Sequence, residues 1–200
     1  MGIRYGCFFS YAQGRHDLMR KFRLDLGDAI RAYLEPQLDA EQELFIDVEQ
    51  LGGGDDIEQR LARALCESVC MLLIYTPKYE AHDFTRREFA AMQLIEQERG
   101  RWYPLPSHLV IPVILAPHPL RLPPEIARYS FYVDFTDYNL ATRNIAANRR
   151  FIPRVLSIVE RIAQHYQHLK KHTPAQHDCN QFRLPTVIPQ WRATPPLIQP

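Results

Sequence analysis

An α/β domain, with a parallel β-sheet covered by helices on both faces, is the fold class that this sequence predicts. Three observations carry it. Nearly continuous apolar runs of strand length recur along the chain, and stretches with apolar residues three or four apart separate them. With 200 residues, 46% of them hydrophobic, there is material for one sizeable core and not two. A strand buried on both faces has no polar side, so apolar runs alternating with amphipathic helices point to a parallel sheet between helical layers.

In chain order, Ile3 to Phe9 reads as the first strand, and Met19, Phe22, Leu26, Ile30 and Tyr33 mark one face of the following helix. Leu44 to Val48 is a second strand. After Gly52-Gly53-Gly54, which predict a mobile loop, the acidic pair Asp55-Asp56 suits a helix N-terminus and leads into Ile57, Leu61, Ala64 and Leu65. Val69 to Tyr75 is a third strand, and Phe84 to Gln97 a helix with Phe89 and Met92 on its apolar face. Leu109 to Leu115 and Ser130 to Phe135 supply the last strands, with one helical turn expected around Pro124 to Arg128. Five strands in this rhythm predict a flavodoxin-like, doubly wound sheet.

Three parts are expected: a domain over residues 1–140, a helical extension over 141–172, and a proline-rich tail over 173–200. Ile152, Val155, Ile158 or Val159, and Ile162 outline the extension's helix, ending near His172. The tail holds six prolines but also Phe182, Val187, Ile188 and Trp191, too apolar for a solvated linker. It is expected to be an ordered arm that docks on its own domain or on a neighbouring chain, the alternative being a linker.

Charge and composition exclude several functions. The 24 basic and 23 acidic residues leave a formal charge of +1, so no basic footprint favours nucleic acid or an anionic membrane. No apolar run is long enough to span a bilayer, and Met1 to Phe9 lacks the pattern of a signal peptide, so a cytoplasmic location is expected. Cys7, Cys66, Cys70 and Cys179 form no C-x-x-C pair; reduced thiols are expected, with Cys66 and Cys70 as small buried hydrophobes. His165, His168 and His172 read as exposed helix polarity rather than metal ligands, even with His177 and Cys179 nearby.

Ligands of doubly wound sheets bind beyond the carboxyl ends of the strands, where strand order reverses. Phe9-Ser10-Tyr11, Asp47-Val48-Glu49 and Thr76-Pro77-Lys78 lie at such ends. Three blocks there resemble the Toll/interleukin-1 receptor (TIR) family. Phe8-Phe9-Ser10-Tyr11-Ala12 is similar to its F-[IF]-S-Y opening, and Phe45 to Leu51 with Gly54 resembles its second strand and loop. Tyr75 to Tyr79 followed by Phe84-Thr85-Arg86-Arg87-Glu88 is similar to its S-P-x-Y and W-C-x-x-E.

The resemblance implies cleavage of NAD as a substrate, with no cofactor and no metal, by an assembly-activated effector of the bacterial-immunity type. The family's catalytic glutamate falls on Glu88. Phe9, Ser10, Tyr11, Asp47, Gln50 and Phe84 match positions around its nucleotide cleft, and Arg15 stands in for the arginine that often follows S-Y. Partners implied are NAD, further copies of the chain, and a partner protein or an additional sensor domain. The alternative is a non-catalytic TIR adaptor that signals by assembly.

The chemistry suits one acid. Nicotinamide leaves NAD neutral from a cationic precursor, so its departure needs no proton, and one ionised carboxylate can stabilise the oxocarbenium-like ribose. Other readings fit less well. Asp47 as a phosphoacceptor lacks an acidic pair after the first strand, the glycines lack a following Lys-[Ser/Thr], and Ser10 with His16 and Asp17 lacks a nucleophile elbow.

Overall fold

A computed structural model describes residues 3–12, 17–38, 43–47, 57–115, 122–142, 144–172, 178–188 and 191, with only the backbone for 44–47. Five parallel strands form one sheet in the order β2-β1-β3-β4-β5: β1 Tyr5–Tyr11, β2 Glu43–Asp47, β3 Ser68–Tyr75, β4 Val110–Ile114 and β5 Val133–Asp134. This is the flavodoxin-like arrangement that the alternating pattern predicts. β3 is central and buried along its whole length, which is why its sequence is an unbroken apolar run.

Strand alternation divides the core into two halves. Cys7, Phe9 and Tyr11 of β1, with Leu72 and Ile74 of β3, face α1 (Asp17–Leu34) and α6 (Ile152–His172). Phe8 of β1, with Met71, Leu73 and Tyr75 of β3, faces α2 (Ile57–Cys66), the short α3 (Pro77–Ala81) and α4 (Asp83–Trp102). Phe22, Leu26 and Ile30 of α1 share one cluster with Val155, Ile158 and Ile162 of α6, so the last helix is a layer of this core. A single turn, α5 (Pro124–Ala127), precedes β5.

Several boundaries differ from the sequence expectation. β1 extends to Tyr11 rather than Phe9, which places Ser10 within the ladder opposite Leu73. β5 has two residues instead of the six from Ser130 to Phe135: only Val133 and Asp134 pair with β4, opposite Val113 and Ile114. Pro77 opens the separate helix α3, its fixed φ suiting a first helical turn. The loop Glu49 to Asp56, with its glycines, lies outside the described residues.

Two buried charged or titratable groups bind the layers. Arg99 of α4, 1% exposed, donates to the carbonyls of Cys66, Ser68 and Val69, each at 2.9 Å, closing the turn between α2 and β3. His165 of α6 is buried against Ser107 Oγ (2.9 Å) and the His108 carbonyl (3.2 Å). Burial, then the Arg161 cation, holds its imidazole down at about 4, so it is a neutral core group and not the exposed residue expected. Among the described residues no three metal-ligating side chains gather.

Two of the cysteines also depart from expectation. Cys66, at the end of α2, forms a disulfide with Cys179, so these two thiols are not reduced in the structure. The partners are separated by 113 residues and by 5.6 Å between Cα atoms. Chain spacing carries no trace of such a pairing; only the fold makes the two neighbours. From Cys179 the segment runs over α2 and α4: Gln59 Nε2 donates to the Asn180 carbonyl (2.9 Å) and Arg87 Nε to the Pro185 carbonyl (3.0 Å). Leu184 and Trp191 are buried there.

Candidate active site

The chain leaves β1 to form β2 on one side and later returns to form β3 on the other, so strand order reverses between β1 and β3. The carboxyl ends of these two strands, with α3 and the first turns of α4, enclose a polar cluster inside an otherwise apolar layer. Ser10 of β1 points to the α3/α4 side as its neighbour Phe8 does. Its Oγ donates to Glu88 Oε2 at 2.5 Å and lies 2.7 Å from the Tyr79 hydroxyl. Tyr79 in turn donates to the Thr85 carbonyl at 3.0 Å, and Thr85 Oγ1 donates back to the Tyr79 carbonyl at 2.7 Å. The last pair locks α3 against the start of α4, which fixes Tyr79 relative to Glu88.

Glu88 is 4% exposed. Burial pushes its carboxyl from an ordinary 4.5 up to about 8, against which the Ser10 hydrogen bond acts. Burial also raises the Tyr79 phenol well above its usual range, so it remains a donor. The Glu88 carboxyl is therefore held mostly protonated at pH 7.

The sequence-predicted site residues separate into groups. Ser10 and Glu88 meet. Phe84 stands on the first turn of α4, 49% exposed, with the Arg87 guanidinium 5.5 Å from its ring centroid. Phe9 is a correction: it is 1% exposed in the α1/α6 half of the core, on the opposite face of the sheet from Glu88. Tyr11, expected with Phe84 at the nucleotide cleft, goes to that face as well, its ring under the Arg23 guanidinium at 5.2 Å. Strand alternation decides both: residues 9 and 11 cannot share a face with residue 10. Asp47 ends β2, paired with Phe9 in the backbone register, while Arg15 and Gln50 lie outside the described residues.

Tyr79 is the residue that sequence reasoning passed over. It stands in the third motif, yet nothing in a strand-end reading of Thr76-Pro77-Lys78 indicates that a helical turn carries its hydroxyl back to Ser10. The Arg87–Glu58 pair, two hydrogen bonds of 2.8 Å that tie α4 to α2, was likewise invisible. A cavity of about 540 Å³ lies at the amino ends of β4 and β5, lined by Ser107, His108 and Arg161 among others, and does not touch Glu88. Strand topology and the buried acid, rather than the size of that cavity, mark the candidate site. Among the described residues no helix is long and apolar enough to cross a membrane.

Compared with known protein families, residues 7–152 match the one described as TIR domain. No curated protein matches the chain.

Proposed function

Since the chain belongs to the TIR domain family, we propose that it cleaves the nicotinamide–ribose bond of NAD, with Glu88 as the catalytic carboxylate. The observation that carries this reading is an acid buried at the switch point of the sheet, held by Ser10 and raised to about 8. A carboxyl of this kind is neutral while the site is empty. The cationic nicotinamide ring lowers its pKa on approach, and the ionised form then faces the ribose as positive charge develops there. In a water-poor site that attraction is stronger than in solvent. Water or an atom of the same dinucleotide completes the reaction, giving ADP-ribose or a cyclic isomer.

Ser10 and Tyr79 act through Glu88 as positioning residues, and exposed Phe84 is placed to cover the substrate. Asp47, Gln50 and Arg15 are proposed to flank the nucleotide. Activation is by self-association, as an effector of bacterial immunity. The test is chromatography of nucleotide products from concentrated protein with NAD: wild type releases nicotinamide, and Glu88→Gln does not. One observation favours a second reading, a non-catalytic adaptor. Glu88 is as deeply buried as the core around it, and a protein that releases no nicotinamide in any assembled state is that adaptor.

A further inference from the structure

The docked segment reaches the Glu88 cluster at Trp191. Trp191, 8% exposed, lies 5.5 Å between ring centroids from Tyr79 and meets Phe89 edge-on at 5.1 Å. Tyr79 is the far member of the Glu88–Ser10–Tyr79 chain, and Phe89 follows Glu88 on α4. Pro185 accepts from Arg87, the residue before Glu88. A single segment thus touches both sequence neighbours of Glu88 and the aromatic ring that holds Ser10.

What fastens this segment is the Cys66–Cys179 bond at its start. Residues 178 to 181 form an exposed turn around the buried Cys179, so lifting that turn bares the sulfur without opening the domain. The remaining thiols do not compete. Cys7 and Cys70 are fully buried in the sheet, and burial raises Cys70 to about 12, far from thiolate.

We propose that Cys66–Cys179 is a thiol–disulfide exchange site for a dithiol reductant, and that its reduction lifts the strap formed by residues 178–188 and Trp191 off Tyr79 and Arg87 and opens the Glu88 site. One thiolate of the dithiol attacks Cys179 Sγ, forming a mixed disulfide and releasing the Cys66 thiolate. The second thiol then displaces Cys179, so the dithiol is oxidised to its disulfide and both cysteines take up a proton. Untethered, the strap retains the burial of Leu184 and Trp191, the packing of Phe182 and a few hydrogen bonds, and its docking becomes reversible. In a reducing compartment a bond of this sort is a transient, sensing one. The opening of Glu88 rests on the NAD reading; the exchange and the release of the strap do not.

The experiment uses the full chain, oxidised, treated with dithiothreitol, and as Cys179→Ser. Free thiols are counted, cleavage by trypsin after exposed Arg183 is timed, and Trp191 emission is read in a Trp102→Phe background. Reduction is expected to add two thiols. Cleavage after Arg183 should be at least about 10-fold faster, since proteolysis follows the opened population. Trp191 emission should shift to the red, Cys179→Ser should behave as reduced protein without the reductant, and NAD turnover should rise several-fold. Unchanged Arg183 cleavage and Trp191 emission on reduction, or a Cys179→Ser chain that stays docked, overturns the proposal. A strap that lifts while nicotinamide release remains absent in both redox states sinks the NAD reading and leaves the exchange site standing. A strap that lifts without changing a measurable turnover overturns the link to Glu88.

Discussion

Replacing Glu88 by glutamine separates the electrostatics of the site from its catalysis. The amide has the shape of the protonated acid and cannot ionise. In the wild type the folded carboxyl titrates at about 8 and the unfolded one at 4.5. The folded state therefore binds the proton more tightly, and its contribution to stability is complete below 4.5 and lost as pH rises through 8. At about 1.4 kcal/mol per pH unit, the wild type should lose on the order of 4 kcal/mol relative to Glu88→Gln between roughly pH 5 and 8.5, and no more above that. Water entering around the ionised acid makes this an upper figure. His165 titrates alike in both proteins and cancels. With a urea slope of about 1–3 kcal/mol per molar, the gap between the two denaturation midpoints should widen by about 2 M across that range. A gap that stays constant from acid to base would refute the buried, proton-holding Glu88, whatever the enzyme assay says. Nicotinamide release should fall by about 100-fold or more in the same variant.

Four further outcomes follow from the same geometry. Ser10→Ala removes the hydrogen bond that lowers the Glu88 pKa, so the rise of kcat/KM with pH should move to higher pH; an unmoved limb in the pH–rate profile counts against this contact. His165→Leu should flatten the loss of stability as pH falls from 6.5 towards 4, worth roughly 3 kcal/mol in the wild type, read by thermal melts across that range. Arg99→Met strands three carbonyls at the α2–β3 turn and should cost about 2–5 kcal/mol by urea titration. Reducing Cys66–Cys179, which spans 113 residues, should lower stability by about 2–4 kcal/mol, with the wild type and Cys179→Ser converging in reductant.

The fold was legible because its signals are local. Each strand buried on both faces needs an apolar run, each covering helix needs an apolar stripe, and the alternation of the two restricts the sheet to a parallel, doubly wound one. Ser10 could be placed at the end of the first strand in the same way, whereas Glu88 was singled out only by the resemblance of its motif to the TIR family. The apolar residues of the tail also announced a docking segment, since side chains such as Trp191 gain by leaving water.

Only the tertiary structure decided which of these residues meet. Phe9, Ser10 and Tyr11 are adjacent in a motif, yet strand pleating sends the first and third to the α1/α6 face and only Ser10 to Glu88. Tyr79 enters the site because α3 turns it back, and Cys66 finds Cys179 because the tail crosses α2. The charge state of Glu88 is of the same kind. A carboxylate between Arg87 and Phe89 in the sequence looks solvated, and it becomes a neutral acid only where the sheet, α3 and α4 together exclude water from it. Periodicity is a property of neighbours in the chain, and was readable; burial, pairing and pKa are properties of neighbours in space.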